Sequence, residues 1–201
     1  TRYGTVTGVQ TCALPIYGAP NTEARKHVQP DSIADHPLLP LVARNVVFGI
    51  NGRRIIDDVS FWIGSNGRTV ILGPNGAGKT TSIRMATGIF PPTSGAVLIN
   101  GQDIQTNPMQ CKARIGYVPD RPYVYEKLSG WEFIEFIMDL YETRGDRAIQ
   151  LAREYLEIFQ IDHAVDLLIE DYSHGMKQKL VILSSLLHEP ELIVKIGRAH
   201  V

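Results

Sequence analysis

Apolar positions in the first half of the chain fall in short runs bounded by turn residues, and in the second half they lengthen into a helical period. Leu41 to Phe48 and Ile55 to Ile63 are rich in β-branched and aromatic residues and flank Asn51 and Gly52, which predicts an antiparallel hairpin. A further turn at Ser65 to Gly67 leads into Thr69 to Leu72, an apolar run that predicts a buried strand. After Lys79 the apolar positions Ile83, Met85, Ala86 and Ile89 predict a helix, closed by Gly88 and by Pro91 and Pro92. Ala96 to Ile99 with Asn100 and Gly101 reads as a strand and its turn, and Arg114 to Val118 as another strand. From Ser129 the pattern is helical. Ser129 and Glu132 form a capping signature, Phe133, Ile134, Phe136, Ile137 and Leu140 give one apolar side, and Trp131, Phe133 and Phe136 read as core rather than interface. A second helix from about Asp146 to Phe159 carries Ile149, Ala152, Leu156 and Phe159, and the run Glu191 to Val194 opens a last strand. Strands interleaved with helices point to an α/β protein.

Composition narrows the picture only a little. A chain of 201 residues with 44% apolar content can bury a full core without a disulfide or metal staple. Its net charge of −1 gives no global basic field, so no nucleic-acid partner is expected, and no run of 18 apolar residues is present to span a membrane. The two cysteines, Cys12 and Cys111, make no disulfide framework. The histidines, among them His27, His36 and His163, lack metal-ligand spacing and read as surface or core residues.

The ends of the chain follow a different logic. Residues from about Thr5 to Ile16 show neither helical nor strand periodicity, and the final residues, IGRAHV, interrupt a strand pattern. TCALPI can be encoded by ACG TGT GCT CTT CCG ATC, whose reverse complement, read one base on, encodes IGRAH. Both strings therefore resemble translated sequencing-library adapter, and 1–16 and 195–201 are expected to be non-native. Residues 17–40, with Pro20, Pro30, Pro37 and Pro40 among polar residues, read as a linker or lead-in. The domain proper is expected over 41–194.

Chemistry concentrates at Gly73 to Thr81, GPNGAGKTT, which fits G-x-x-x-x-G-K-S/T directly after a predicted strand. Gly73, Pro74, Asn75, Gly76, Ala77 and Gly78 can curl so that successive backbone N–H groups face one concavity at a helix start, a cradle for polyphosphate. Lys79 then reaches the β- and γ-phosphates, Thr80 offers its hydroxyl to Mg²⁺ and Thr81 bonds the α-phosphate. A glycine turn that merely contains a lysine is the competing reading.

Taken in order, GPNGAGKTT, PPTSGAVLINGQDI, IGYVPD, YSHGMKQKL and HEPELIV resemble the nucleotide-binding domain of an ABC transporter, over about Leu39 to Val194. The resemblance implies a P-loop NTPase core with an antiparallel β subdomain and a helical subdomain at about 121–175, incomplete at the C-terminus. ATP and Mg²⁺ are the implied cofactors, and the implied role is an ATPase subunit on the cytoplasmic face of a membrane, working through separate transmembrane permease subunits. Phe48 lies where this family places an aromatic that stacks on adenine, with a core role as the alternative. Asp120 stands where the family has a glutamine near Mg²⁺ and the attacking water; a carboxylate is also a hard ligand, but it adds a charge beside the phosphates. Ser173 and Gly175 in SHGM match the family signature, with His174 replacing a glycine. In the family that helix start faces the γ-phosphate held by a second domain, so a dimer of nucleotide-binding domains with two sandwiched ATP molecules is implied.

After Val194 the resemblance calls for an aspartate for Mg²⁺ and a catalytic glutamate, where this chain continues with Lys195, Ile196 and Gly197. His200 follows that break and is not the family's phosphate-contacting histidine. The chain is therefore expected to bind ATP without efficient hydrolysis. Two other readings stay open: a soluble, non-transport ABC ATPase, or a module that senses ATP without cleaving it.

Overall fold

In the computed structural model, which describes residues 9–13, 40–64, 68–72 and 76–197, the hairpin forms where the pattern places it. Strand β2 (Leu41–Ile50) runs antiparallel to β3 (Arg53–Ile63). Asn51 and Gly52 join them with φ of 50° and 75°, the paired left-handed residues that a tight hairpin turn requires. Pairing β5 (Ser94–Ile99) to the other side of β2, and β6 (Gln102–Asp103) to β5, gives a four-stranded sheet of order β3-β2-β5-β6. Leu41, Val46, Ile56, Phe61, Val97 and Ile99 are buried on it.

Strand β4 (Arg68–Leu72) leads toward helix α1 (Lys79–Ala86). That helix ends in a Schellman closure: Gly88 N–H donates to Met85 O, Ile89 N–H donates to Arg84 O, and Gly88 takes φ 69°. A short helix, α2 (Pro108–Lys112), completes this part.

β4 pairs in parallel with β1 (Val9–Ala13), Val9 opposite Arg68 through Ala13 opposite Leu72. Periodicity gave no sign of this strand within residues 5–16. Pairing is made by backbone groups, so a five-residue segment needs no alternating side-chain pattern to complete a neighbour's ladder. The rest of the suspected non-native ends, 1–8, 14–16 and 198–201, lies outside the described residues, as does nearly all of the lead-in at 17–40.

The chain divides into two compact units between Lys112 and Ala113. In the second, β7 (Ile115–Val118) and β8 (Leu192–Lys195) are parallel, and three helices, α3 (Gly130–Leu140), α4 (Asp146–Phe159) and α5 (His174–Ser184), share one core. Ile134, Met138, Ala152, Ile161, Ile169, Leu180 and Leu183 are its buried centre.

The capping signature at Ser129 is formed in both directions, Glu132 N–H to Ser129 Oγ and Ser129 N–H to the Glu132 carboxylate. Ser129→Ala is expected to cost about 1 kcal/mol in a urea unfolding titration. Gly130, next in line, is fixed by space, because a Cβ there would run into the Tyr172 hydroxyl, which itself donates to Ala164 O at 2.7 Å.

One part of the helical prediction needs correction. Phe133 and Ile134 are buried and Ile137 is partly so, but Phe136 is 39% exposed and Leu140 is exposed. Met138 takes the core position that the apolar run assigned to Phe136. The face of α3 is rotated by this choice, and Phe136 instead meets Tyr125 edge-on.

His188 stacks on Tyr141 with ring centroids 3.9 Å apart, and its Nε2 lies 3.2 Å from Ile115 O. Burial pushes its pKa below 6.5, against a smaller upward pull from that carbonyl. The unfolded chain then binds more protons than the folded one, so His188 contributes stability that is complete above pH 6.5 and is lost as pH falls through the lowered folded value. Unfolding titrations from pH 7 to 5 should show this decline, and His188→Gln should flatten it.

Candidate functional site

The first unit carries the phosphate-loop residues. Gly73, Pro74 and Asn75 lie outside the described residues; the loop is described from Gly76 onward. Gly76 and Gly78 have φ of 84° and 80°, left-handed values that glycine adopts without penalty. Gly78 is required twice over, since a Cβ on it would collide with Cδ1 of Ile56, a buried residue of β3. Ala77 is buried. The hairpin strand thus forms the floor on which the loop turns into α1.

At that turn the helix start is left open. Gly78 is the N-cap of α1, no side chain caps it, and the first turn contains no acidic residue. Helix N–H groups without an internal partner, at the positive end of the dipole, are suited to an anion. Lys79 and Thr81 are half-buried and Thr80 is exposed. A lysine amine, an accessible hydroxyl and uncapped backbone donors on consecutive residues form a donor set that fits a polyphosphate with its divalent cation.

Phe48 belongs to the same unit, but its surroundings favour the core alternative. Its ring stacks on Phe90 at 5.7 Å between centroids with planes 6° apart, and only 9% of the residue is exposed. Such burial is that of a core aromatic. Arg84 lies 5.5 Å from the centre of the Phe90 ring, extending the stack with a cation rather than opening it.

In the second unit Asp120 is exposed in the bend that follows β7. Because β7 and β8 are parallel, Val118 lies opposite Lys195, and Asp120 follows the same strand end at which β8 closes. Lys195, exposed, stands at the position where the resemblance calls for an acid. Ser173, His174 and Gly175 are exposed at the start of α5. The Ser173 hydroxyl accepts from Met176 N–H at 3.2 Å, an ordinary N-cap that leaves the hydroxyl hydrogen available to donate. Gly175 has open space around it, its nearest neighbour being Ser173 Oγ at 3.9 Å from where a Cβ would sit, so packing does not demand glycine there.

An ion-pair group beside this turn had no counterpart in the sequence reading. Lys177 Nζ donates to Glu126 Oε1 at 2.6 Å, and Lys127 pairs with Glu170. The Lys177 bond holds the Glu126 carboxyl below its usual range, and the Glu170 bond raises the Lys127 amine. The one available signal was a lysine in the first turn of a helix, against the dipole, with no acid beside it.

Residues 56–195 match the family model described as ABC transporter. The lipopolysaccharide export system ATP-binding protein LptB of Escherichia coli is 34% identical over 161 residues, covering 77% of this chain and 65% of its own length. The uncharacterized ABC transporter ATP-binding protein YhcH of Bacillus subtilis is 35% identical over 154 residues, covering 77% of this chain and 50% of its own. Among solved structures, one described as the ATP binding subunit of an ABC transporter superposes with a TM-score of 0.73 at 27% identity, over 77% of this chain and 65% of that one. The chain spans 65% and 50% of the lengths of the two curated relatives it matches here.

Proposed function

Since this chain belongs to the ABC transporter family, as an ATP-binding domain, we propose that it binds ATP with Mg²⁺ at the Gly73 to Thr81 loop, and that the protein it represents is the ATPase subunit of a transporter. The observation that carries this reading is the pairing of an uncapped, acid-free helix start with a glycine that admits no Cβ. Lys79 neutralises charge on the terminal phosphates. Thr80 would supply an oxygen ligand for Mg²⁺; Asp120 is a further candidate by the family resemblance alone. Bound Mg²⁺ would supply charge neutralisation across the phosphate oxygens.

Ser173 and Gly175 present donors suited to a phosphate held by another copy, which makes a dimer of nucleotide-binding domains the working form. Among the described residues no helix is long and apolar enough to cross a membrane. Family membership is what supports transport through separate permease subunits, with this domain at the cytoplasmic face. The names of the relatives support that reading, while substrate and direction belong to the permease.

Hydrolysis is a separate matter. β8 ends in Lys195 and is followed by Ile196 and Gly197, none of which can orient the attacking water as a carboxylate would, and on that ground our reading is ATP binding with little turnover. The adapter-like strings at 1–16 and 195–201 carry the same proposal at the level of DNA: independent genomic sequencing across Ile16 and Val194 should replace them with other codons. In the protein, equilibrium binding and phosphate release are measured together. Saturable ATP binding with release no faster than Lys79→Ala is expected; release at the rate of an intact relative, abolished by Lys79→Ala, would overturn the assignment.

A further inference from the structure

Two ion pairs join the segment before α3 to the one that enters α5. Glu126 accepts from Lys177, and the adjacent Lys127 donates to Glu170, so neighbouring residues of one segment meet opposite charges on the other. Backbone bonds run between them, from Glu170 N–H to Glu126 O at 3.0 Å and from Ile169 N–H to Leu128 O at 2.9 Å. Local chemistry does not explain Lys177. It closes the first turn of α5, where the helix dipole disfavours a cation, and no acid in that turn offsets it. Its side chain is nevertheless held at 17% exposure, with its compensating carboxylate 51 residues away in sequence. A residue that breaks a local rule and is compensated at long range marks a place where geometry is being fixed.

We propose that the Glu126–Lys177 pair, backed by Lys127–Glu170, fixes the orientation of the Ser173 to Gly175 turn, making Lys177 a positioning residue for the phosphate-facing end of α5. Its consequence for nucleotide rests on the reading that Ser173 and Gly175 meet the ATP of a second copy; the tether itself does not. The two ends of α5 are thereby held differently, Leu180 and Leu183 by burial in the helical core and the first turn by charge. The pair is half sheltered, with 17% of the Lys177 side chain and 57% of the Glu126 side chain exposed, so salt screens it in part.

Charge reversal separates this from an ordinary helix effect. By dipole alone, Lys177→Glu steadies the first turn; as a broken tether, it loosens it. The full chain is compared with Glu126→Lys, Lys177→Glu and the double swap by amide hydrogen exchange, nucleotide affinity and ATP-dependent self-association. Exchange at Met176 and Lys177 is expected to speed up about three- to fivefold in each single variant and to return in the double swap. Self-association should weaken and recover in the same order, with the ATP affinity of the dilute monomer unchanged and the urea midpoint lowered only slightly. Unaltered exchange in the single variants, or failure of the double swap to recover, overturns the proposal. Recovered exchange with self-association insensitive to either single variant overturns the positioning role. If the parent chain binds no ATP, or binds it without self-association, the functional reading fails, and the exchange series still decides the tether.

Discussion

Lys79→Ala is expected to weaken ATP binding by roughly 10- to 150-fold, the equivalent of about 1.5–3 kcal/mol for one hydrogen bond to a charged group. Lys79 is the first residue of α1, half-buried beside backbone donors that remain in the variant, so affinity falls without vanishing. Calorimetric titration of ATP with Mg²⁺ measures it, and the far-ultraviolet circular dichroism should be preserved. Gly78→Ala differs in kind: it imposes φ 80° on a residue with a Cβ and drives that Cβ into Ile56, so binding and stability are lost together. An affinity loss with the fold intact belongs to the lysine's charge, while the glycine is there for shape.

Leu180→Ala is the second large effect, and it acts on stability. Leu180 is fully buried on α5, in the same core as Ile134, Met138 and Ala152. Deleting its side chain is expected to cost about 2–5 kcal/mol, partly from lost burial and partly from the cavity left behind. Against the 5–15 kcal/mol that typical domains possess, such a loss brings the helical unit near its folding threshold. Urea unfolding monitored by Trp131, which packs on this core with Arg153 5.0 Å from its ring centre, would record the shift. The signature turn at Ser173 stands on the same helix, so exchange at its amides should rise in step.

What could be read from the chain beforehand was whatever depends on near neighbours. The hairpin turn at Asn51 and Gly52, the capping box at Ser129 and Glu132, and the helix stop at Gly88 each rest on a few adjacent residues, and each forms. Phe48 shows where that reasoning stops. An aromatic in a strand looks the same whether its ring faces solvent or another ring, and the ring that Phe48 stacks on, Phe90, lies 42 residues later. Phe136 was misplaced because periodicity defines an apolar arc without its centre, and Met138 took the core. β1 was missed because parallel pairing is made by backbone, which carries no side-chain signature. The ion pairs around Lys177 join residues 43 and 51 apart, a separation at which sequence holds no pairing rule for charges.

Whether the turn from Gly76 into Lys79 is a polyphosphate cradle is decided by titrating the full chain with ATP, ADP and AMP in the presence of Mg²⁺. Saturable binding of ATP and ADP is expected, with at least about tenfold weaker binding of AMP and a smaller preference in Lys79→Ala. Equal affinity for all three nucleotides, or a polyphosphate preference undiminished by Lys79→Ala in a folded chain, would overturn the cradle.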